Sequence, residues 1–283
     1  MTVVNPSTLD EVLMAMRELP HALVLSGGTD VMVEVNFGRR QVTDVIALRG
    51  VRELSHWSVS PDGLSLTIGA GLAYAAMEHG TISELVPALA QAARTVGSPQ
   101  IRAVGTLGGN LGTCSPAGDG LPVLSALDAV IHLQSSSDSR DISIHDFMIG
   151  VKQNSRVAGE LITGVTVPVL AGWQGYAKVG VRNAMVIAIA SACLVVDTTS
   201  GNIRIALGSV GSKIIRCRET EVWFVSQHDI SSVTPIDATL AKEFGQRAAI
   251  EARPIDDHRS TSEYRRHAIE VIAGRLIQQA YPA

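Results

Sequence analysis

Apolar positions change their spacing along this sequence, and each spacing predicts a different element. Behind Ser7, apolar residues recur at helical intervals over positions 9–16, which predicts an N-capped amphipathic helix at the start of the chain. Residues 22–25 are continuously apolar, so they predict a buried strand that ends abruptly at Ser26-Gly-Gly-Thr-Asp30. A glycine pair directly after a strand indicates a tight loop.

Further apolar runs, separated by turn residues, predict most of the remaining strands. Pro61-Asp62-Gly63 is a hairpin signal, with its return strand over residues 64–68. Residues 70–95 have a helical composition, whereas residues 97–122 are rich in Gly, Pro and Asn and predict a long functional loop. The other strand candidates are residues 45–48, 161–167, 176–179, 186–196 and 203–207.

The C-terminal part differs because its apolar spacing is helical. Residues 237–251 and 260–281 predict two helices, the second opened by a capping box of Ser260 and Glu263. Strands followed by terminal helices predict an α+β fold, with a domain boundary near residues 171–173.

Composition narrows the classes of protein that fit this pattern. Hydrophobic residues make up 46% of the 283 residues and charged residues 18%, so a packed protein is expected rather than a disordered chain. The formal net charge is −4 and aromatic residues make up only 4%, so the sequence lacks the basic surface and the stacking side chains of a nucleic-acid-binding protein.

Cysteine usage and the start of the chain predict a cytoplasmic protein. Cys114, Cys193 and Cys217 show no CxxC or paired spacing, so no disulfide framework, structural zinc or protein-borne iron–sulfur cluster is expected. The first residues carry neither a basic nor an apolar segment for export. The longest apolar run, residues 184–196, is too short for a transmembrane segment.

Two glycine-rich segments are the candidate binding elements. In residues 26–30 and 105–113, glycines allow backbone N–H groups to converge on an anion, and two such loops together can grip a pyrophosphate. Each loop read alone is more simply a tight turn. Neither carries the GxGxxG or GxxxxGK[ST] pattern, which disfavours a Rossmann fold and a P-loop. Asp119, in the turn at 115–119, fits two roles equally: an acceptor for sugar hydroxyls or a brace of the turn.

No catalytic group of the chain itself is evident. The sequence has no GxSxG, HxH or HExxH motif, and Asp256-Asp257-His258 is better explained as polar residues before a helix than as a metal site. If the protein is an enzyme, its chemistry is expected to reside in a bound cofactor.

The two glycine segments belong to a series of motifs that extends over nearly the whole chain. The series continues through Gly97-Ser-Pro-Gln-Ile-Arg102, Ser115-Pro-Ala-Gly-Asp119, Lys178-Val-Gly-Val-Arg182, Arg204-Ile-Ala-Leu-Gly-Ser-Val210 and Pro254-Ile-Asp-Asp-His-Arg259. In this order and spacing it resembles the FAD-binding medium subunit of the molybdenum hydroxylases, the carbon monoxide dehydrogenase and xanthine dehydrogenase group.

The resemblance implies a two-lobed, PCMH-type FAD-binding domain over residues 1–172, with lobes of roughly 1–55 and 56–172. A smaller C-terminal α+β domain of antiparallel strands and helices follows over residues 173–283. The resemblance implies FAD as the cofactor, and because no His or Cys is placed as an obvious flavin tether, non-covalent attachment is expected. The sequence predicts no metal ligand and no certain catalytic residue in this chain. The residues that it implies for FAD binding are Val24, Leu25, Ser26, Gly27, Gly28, Thr29, Asp30, Thr106, Gly109, Asn110, Thr113, Asp119, Ile162 and Lys178.

The resemblance also gives these residues roles. The first loop wraps the pyrophosphate, and the second surrounds phosphate and ribose or ribityl oxygens. Asp119 accepts from a hydroxyl, Ile162 packs beside the flavin, and Lys178 lies near the isoalloxazine edge. Without the resemblance, Lys178 is a solvated lysine at the end of a strand. Relatives commonly have Asp where this chain has Val186, so local polar contacts are expected to differ there.

The function implied by the resemblance is electron transfer within a larger assembly. A small subunit carries iron–sulfur clusters, a large subunit carries molybdopterin, and a dimer of such heterotrimers is expected, with no nucleic-acid partner. Electrons pass from the clusters to FAD in this subunit and on to an external acceptor. Two alternatives remain open: a stand-alone flavin oxidase or dehydrogenase, and a non-redox nucleotide-binding assembly protein.

Overall fold

Short strands and helices alternate over the first half of the chain, and longer ones follow. The computed structural model describes residues 2–232 and 234–282. The strands are β1 Thr2–Val4, β2 Leu23–Leu25, β3 Asp44–Ala47, β4 Trp57–Val59, β5 Ser65–Gly69, β6 Val130–Gln134, β7 Ser139–Ser143, β8 Met148–Gly150, β9 Gln153–Asn154, β10 Leu161–Pro168, β11 Gly172–Val179, β12 Ala190–Asp197, β13 Asn202–Gly208 and β14 Ile215–Arg216. The helices are α1 Leu9–Glu18, α2 Val31–Asn36, α3 Tyr74–Met77, α4 Thr81–Leu85, α5 Pro87–Thr95, α6 Pro99–Val104, α7 Leu107–Thr113, α8 Gly120–Ala126, α9 Ile144–Phe147, α10 Arg218–Gln227, α11 Ala238–Glu251 and α12 Ser262–Ala280.

A small parallel sheet opens the chain, in the order β1-β3-β2. Strand β1 was not predicted, and β2 is half-buried rather than buried. The predicted first helix is confirmed as α1, but its cap is Thr8 and not Ser7. The Thr8 hydroxyl accepts from the Glu11 N–H, and the Glu11 carboxylate accepts from the Thr8 N–H, which is a complete capping box.

A five-stranded antiparallel sheet follows, in the order β4-β5-β10-β6-β7. The predicted hairpin is confirmed: β4 and β5 pair across the turn, where Gly63 has φ +74°. Strands β6 and β7, which the sequence interpretation missed, place a second hairpin on the other side of β10. Strand β10 therefore lies at the centre of the sheet, because hairpins flank it on both sides.

The prediction of a long loop over residues 97–122 is wrong. That segment contains α6, α7 and the start of α8, with short turns between them. Ser98 and Thr106 cap α6 and α7 through their hydroxyls, and Pro99 occupies the first turn of α6. Glycine is tolerated in α7 because Gly108 packs on Ala70, where an added Cβ would lie 2.5 Å from the Ala70 Cβ. Packing thus overrides a composition typical of loops.

The C-terminal part confirms the expected antiparallel strands and helices. Strands β11 to β14 form an antiparallel sheet in chain order, and α11 and α12 pack against each other beside it. The two helices approach closely at Gly245, where an added Cβ would lie 3.0 Å from the Glu270 carbonyl carbon. Helix α12 is capped by Thr261, so the predicted capping box at Ser260 is wrong. Helix α10 was not predicted.

Apolar packing joins the sheets. The largest core cluster combines residues of the five-stranded sheet with Tyr176, Cys193 and Ala206 of β11, β12 and β13. Asp128, two residues after the end of α8, adds an ionic connection: it accepts a hydrogen bond from Arg216 at 2.5 Å, and its Oδ2 lies 3.3 Å from Arg204 Nε. Burial opposes ionisation of Asp128, but the hydrogen bond from His145 and the arginine charges lower its pKa to about 2. The mixed architecture confirms the α+β prediction.

Candidate cofactor-binding site

The first predicted loop, residues 26–30, leaves four consecutive backbone N–H groups available. Strand β2 ends at Leu25, so Val24 and Leu25 belong to the sheet and pair with β3. In the part of the chain that the structure describes, the N–H groups from Gly27 to Asp30 donate to no protein acceptor. Gly28 has φ +70°, the left-handed conformation that lets successive N–H groups form an anion-binding nest.

The first loop lies directly on the segment between α6 and α7. A Cβ on Gly27 would overlap the carbonyl oxygen of Val104 and lie 2.5 Å from its carbonyl carbon. The Ser26 and Thr106 hydroxyl oxygens are hydrogen-bonded at 3.1 Å. The structure therefore brings the two glycine segments together as the sequence predicted, and Gly27 is the residue whose small size allows it.

Most backbone donors of the second segment already have protein acceptors. The Thr106 hydroxyl accepts from the Gly109 N–H at 3.0 Å, while the Leu107 and Gly108 N–H groups donate to Leu72 and Ala70. The segment offers fewer free N–H groups than expected, because α7 begins at Leu107 and its first turn is already capped; the Thr106 N–H group donates to no acceptor among the described residues. What this segment mainly offers a ligand is its side chains.

Asn110 and Thr113 are the polar side chains of α7. The Asn110 Oδ1 accepts from the Tyr74 hydroxyl at 2.9 Å, whereas its Nδ2 donates to no acceptor among the described residues. The Thr113 hydroxyl lies 3.4 Å from Asp30 Oδ2, and Lys152 Nζ lies 3.4 Å from the same oxygen. These contacts tie α7 to the first loop at a second point.

Asp119 and Lys178 form a buried ion pair. Lys178 Nζ donates to Asp119 Oδ2 at 2.7 Å and to the Thr95 carbonyl oxygen at 3.0 Å, and the Tyr176 hydroxyl donates to Asp119 Oδ1 at 2.9 Å. The side chains are 7% and 8% exposed, so Lys178 is not a solvated lysine. Burial raises the pKa of the Asp119 carboxyl, and the Lys178 ammonium opposes that rise. Each carboxylate oxygen retains a lone pair for a further donor.

Ile162 and Val186 are the remaining positions that the sequence singled out. Ile162 is on β10, at a register irregularity with β6, and it is 5% exposed within the main core. Strand β10 as a whole packs against α7. Val186 covers Gly180, where an added Cβ would overlap its Cγ1. A valine at this position therefore makes an apolar contact with Gly180.

Tyr74 and Tyr176 are the residues that sequence reasoning missed. Each is buried, and each donates its hydroxyl to a residue of the predicted site, Asn110 or Asp119. No spacing in the sequence indicates these contacts, because Tyr74 is 36 residues from Asn110 and Tyr176 is 57 residues from Asp119. A buried tyrosine hydroxyl generally needs a partner, which is the only local signal.

Three further features of residues 2–232 and 234–282 bear on function: metal ligation, thiol reactivity and the capacity of a helix to span a membrane. No group of three His, Cys, Asp or Glu side chains is placed to hold a metal ion. The three cysteines are free and buried, and burial raises the pKa of the Cys114 thiol to about 11, so this thiol is unreactive. No helix in these residues combines the length and apolar character that a membrane span requires.

The site fits the diphosphate of a dinucleotide better than a metal or a covalent intermediate. The Thr29 hydroxyl makes no hydrogen bond with a described residue, so it is available beside the four free N–H groups. A Cβ on Gly109 would lie 3.1 Å from Thr106 Oγ1, and one on Gly112 would meet nothing within 4 Å, so the side of α7 that carries these glycines is not filled by protein. Glycines at such a surface let a ligand approach the backbone closely.

Comparison with known proteins agrees with this geometry. Residues 1–170 match the family described as FAD binding domain in molybdopterin dehydrogenase, and residues 176–280 match the CO dehydrogenase flavoprotein C-terminal domain. The chain is 29% identical over 280 residues to the glyceraldehyde dehydrogenase medium chain of Sulfolobus acidocaldarius, covering 98% of this chain and 96% of that one. It is 34% identical over 193 residues to the nicotinate dehydrogenase FAD-subunit of Eubacterium barkeri, covering 65% and 64% of the two chains.

A solved structure shares the fold over the full length. Quinoline 2-oxidoreductase from Pseudomonas putida 86 superposes with a TM-score of 0.90 at 24% identity, covering 99% of this chain and 96% of that chain. Both family matches together span most of the sequence, and the glyceraldehyde dehydrogenase relative is a medium chain of nearly equal length. The chain therefore belongs to the FAD-binding medium subunits of the molybdenum hydroxylases, the oxidoreductase family that includes the xanthine and carbon monoxide dehydrogenases.

Proposed function

We propose that residues 26–30 hold the FAD diphosphate and that α7 and β11 position the rest of the cofactor. The observation that carries the proposal is the set of four N–H groups from Gly27 to Asp30, which, like the adjacent Thr29 hydroxyl, have no partner among the described residues. Backbone N–H groups in a nest favour an anion without adding a mobile charge. The Thr106 and Thr113 hydroxyls and the Asn110 amide then supply side-chain contacts to phosphate and sugar oxygens.

Lys178 and Asp119 are proposed to act on the flavin end of the cofactor. Three hydrogen bonds hold the ammonium and carboxylate in place, so neither group needs to reorganise when a charge appears beside it. FAD, when bound, supplies the redox chemistry by exchanging electrons singly or in pairs. A held ammonium beside the ring favours the added negative charge, and the paired carboxylate moderates that effect.

We further propose where this subunit stands in an assembly. A molybdopterin large subunit passes electrons to an iron–sulfur small subunit. This subunit takes the electrons from the small subunit and passes them to an external acceptor. Two such heterotrimers form a dimer, in the cytoplasm. The names of the relatives as medium chains or FAD-subunits support this placement. The proposed division into residues 1–172 and 173–283 is supported by family matches that end at residue 170 and resume at 176.

We expect the purified chain to contain about one non-covalent FAD. The site is built from backbone and hydroxyl donors, and the described cysteines are buried, so no thiol is available as a tether. Acid precipitation followed by chromatography of the supernatant measures both the identity and the attachment of the flavin. Recovery of FMN, or flavin retained in the pellet, contradicts the assignment. A colourless chain that does not take up added FAD supports the non-redox assembly protein instead.

We expect this subunit to be reduced by the hydroxylase substrate only in the presence of both partners. Mixing the three subunits, adding the large subunit's substrate and following the loss of visible flavin absorbance measures the transfer. Omission of the small subunit should abolish rapid flavin reduction, because its iron–sulfur clusters connect the molybdenum site with the FAD site. Reduction at the same rate by an organic substrate with both partners absent identifies a stand-alone oxidase or dehydrogenase.

A further inference from the structure

A buried hydroxyl fixes the orientation of the Asn110 amide. Tyr74, the first residue of α3, is 2% exposed, and its hydroxyl donates to Asn110 Oδ1 at 2.9 Å. Burial raises the pKa of Tyr74 far above its usual value, so the phenol keeps its proton. Because a neutral phenol donates and an amide nitrogen cannot accept, Oδ1 faces Tyr74 and Nδ2 is directed elsewhere.

Two glycines make room for the Tyr74 hydroxyl and the Asn110 amide. A Cβ on Gly120 would lie 2.7 Å from the Tyr74 hydroxyl oxygen and 3.2 Å from Asn110 Oδ1. A Cβ on Gly118 would lie 2.5 Å from Asn110 Nδ2. The turn before α8 therefore closes around the amide, and any side chain at these positions would displace it. An asparagine amide rotates with little intrinsic preference, so this enclosure and the hydroxyl are what hold it.

We propose that Tyr74 is a positioning residue for FAD, which presents Asn110 Nδ2 as a fixed donor to an oxygen of the cofactor. This inference rests on the proposed function, because Asn110 matters only if α7 contacts FAD. Tyr74 itself does not touch the cofactor: it acts through Asn110, whose Nδ2 has no acceptor among the described residues. Preorganisation of this kind improves affinity by removing the cost of ordering the group on binding.

The test is a double-mutant cycle on FAD affinity. Flavin-depleted full-length chain is titrated with FAD, and binding is followed by flavin fluorescence for wild type, Tyr74→Phe, Asn110→Ala and the double variant. Loss of one hydrogen bond should raise the Kd of Tyr74→Phe by about 2- to 12-fold. Asn110→Ala should raise it at least as much, and the double variant should match Asn110→Ala because Tyr74 then has no amide to orient.

Tyr281→Phe is the matched control. Tyr281 is also buried, and its hydroxyl donates to the Ile230 carbonyl oxygen at 3.1 Å in a different core cluster. It should leave the Kd for FAD at the wild-type value, whatever it does to the melting temperature. A merely structural Tyr74 would behave the same way, so a change in melting temperature without a change in Kd overturns the proposal.

The outcomes separate this inference from the proposed function. If wild type and Asn110→Ala behave as expected but Tyr74→Phe binds FAD like wild type, only the positioning role fails. Additive effects of the two substitutions also overturn it, because they show that Tyr74 acts independently of Asn110. If wild type takes up no FAD, or if Asn110→Ala leaves affinity unchanged, the assignment of the site itself fails and the positioning role fails with it.

Discussion

Replacing Lys178 by methionine is expected to lower the free energy of unfolding by about 3–5 kcal/mol. The substitution keeps the length and apolar stem of the side chain but leaves the Asp119 carboxylate, which is 8% exposed, without its cation. The Tyr176 hydroxyl still donates to the buried carboxylate, but no longer beside a cation at Oδ2. Urea unfolding of the flavin-depleted chain measures the loss without a contribution from cofactor binding.

The loss of unfolding free energy in Lys178→Met should increase as the pH rises. Burial raises the pKa of Asp119 in the folded chain, and removing the opposing ammonium raises it further. A carboxyl whose folded pKa lies above its unfolded value loses stability as pH rises between the two, because the folded state holds the proton more tightly. The deficit should therefore be smaller near about pH 5 than near about pH 8.

The double variant Lys178→Met with Asp119→Asn is the control for this prediction. Removing both charges eliminates the uncompensated carboxylate, and replacement of a whole buried pair is often nearly neutral. We expect the double variant to recover most of the lost stability and its pH dependence. A double variant as unstable as Lys178→Met would mean that the ammonium acts through its contact with the Thr95 carbonyl oxygen rather than through Asp119.

Replacing Gly27 by alanine is expected to weaken FAD binding by about 10- to 100-fold. The added Cβ would overlap the carbonyl oxygen of Val104, so the first loop must move away from the segment between α6 and α7. Overpacking of this kind costs about 1–3 kcal/mol, and separation of the loops also breaks the hydrogen bond between Ser26 and Thr106. Flavin titration of the depleted variant measures the change in Kd.

Gly245→Ala is the matched control for Gly27→Ala. An added Cβ at Gly245 would lie 3.0 Å from the Glu270 carbonyl carbon, so it overpacks the contact between α11 and α12, outside the candidate site. We expect lower thermal stability with the FAD affinity of the wild type. If Gly27→Ala binds FAD with wild-type affinity, the two glycine segments do not need their close contact to form the site.

The candidate loops could be predicted from the sequence because their chemistry is local. A glycine pair after an apolar strand indicates a turn, and Gly28 indeed has positive φ. The role of Gly27 could not be predicted in this way. Its small size is required because Val104, a residue far along the chain, packs directly against it. The helical character of residues 97–122 could not be predicted either, because Gly108 and Pro99 are poor indicators of a helix in the absence of their packing and caps.

By itself, the sequence determined the α+β class, the hairpin at Gly63, the two terminal helices and the order of the glycine segments, because periodicity, turn residues and loop motifs act over a few neighbouring residues. The tertiary structure alone decided which groups remain free and which are paired. It paired the Leu107 and Gly108 N–H groups with the carbonyl oxygens of Leu72 and Ala70, and it buried Lys178 with Asp119. Burial and hydrogen bonding between distant residues are set by the packed chain as a whole, so no local pattern encodes them.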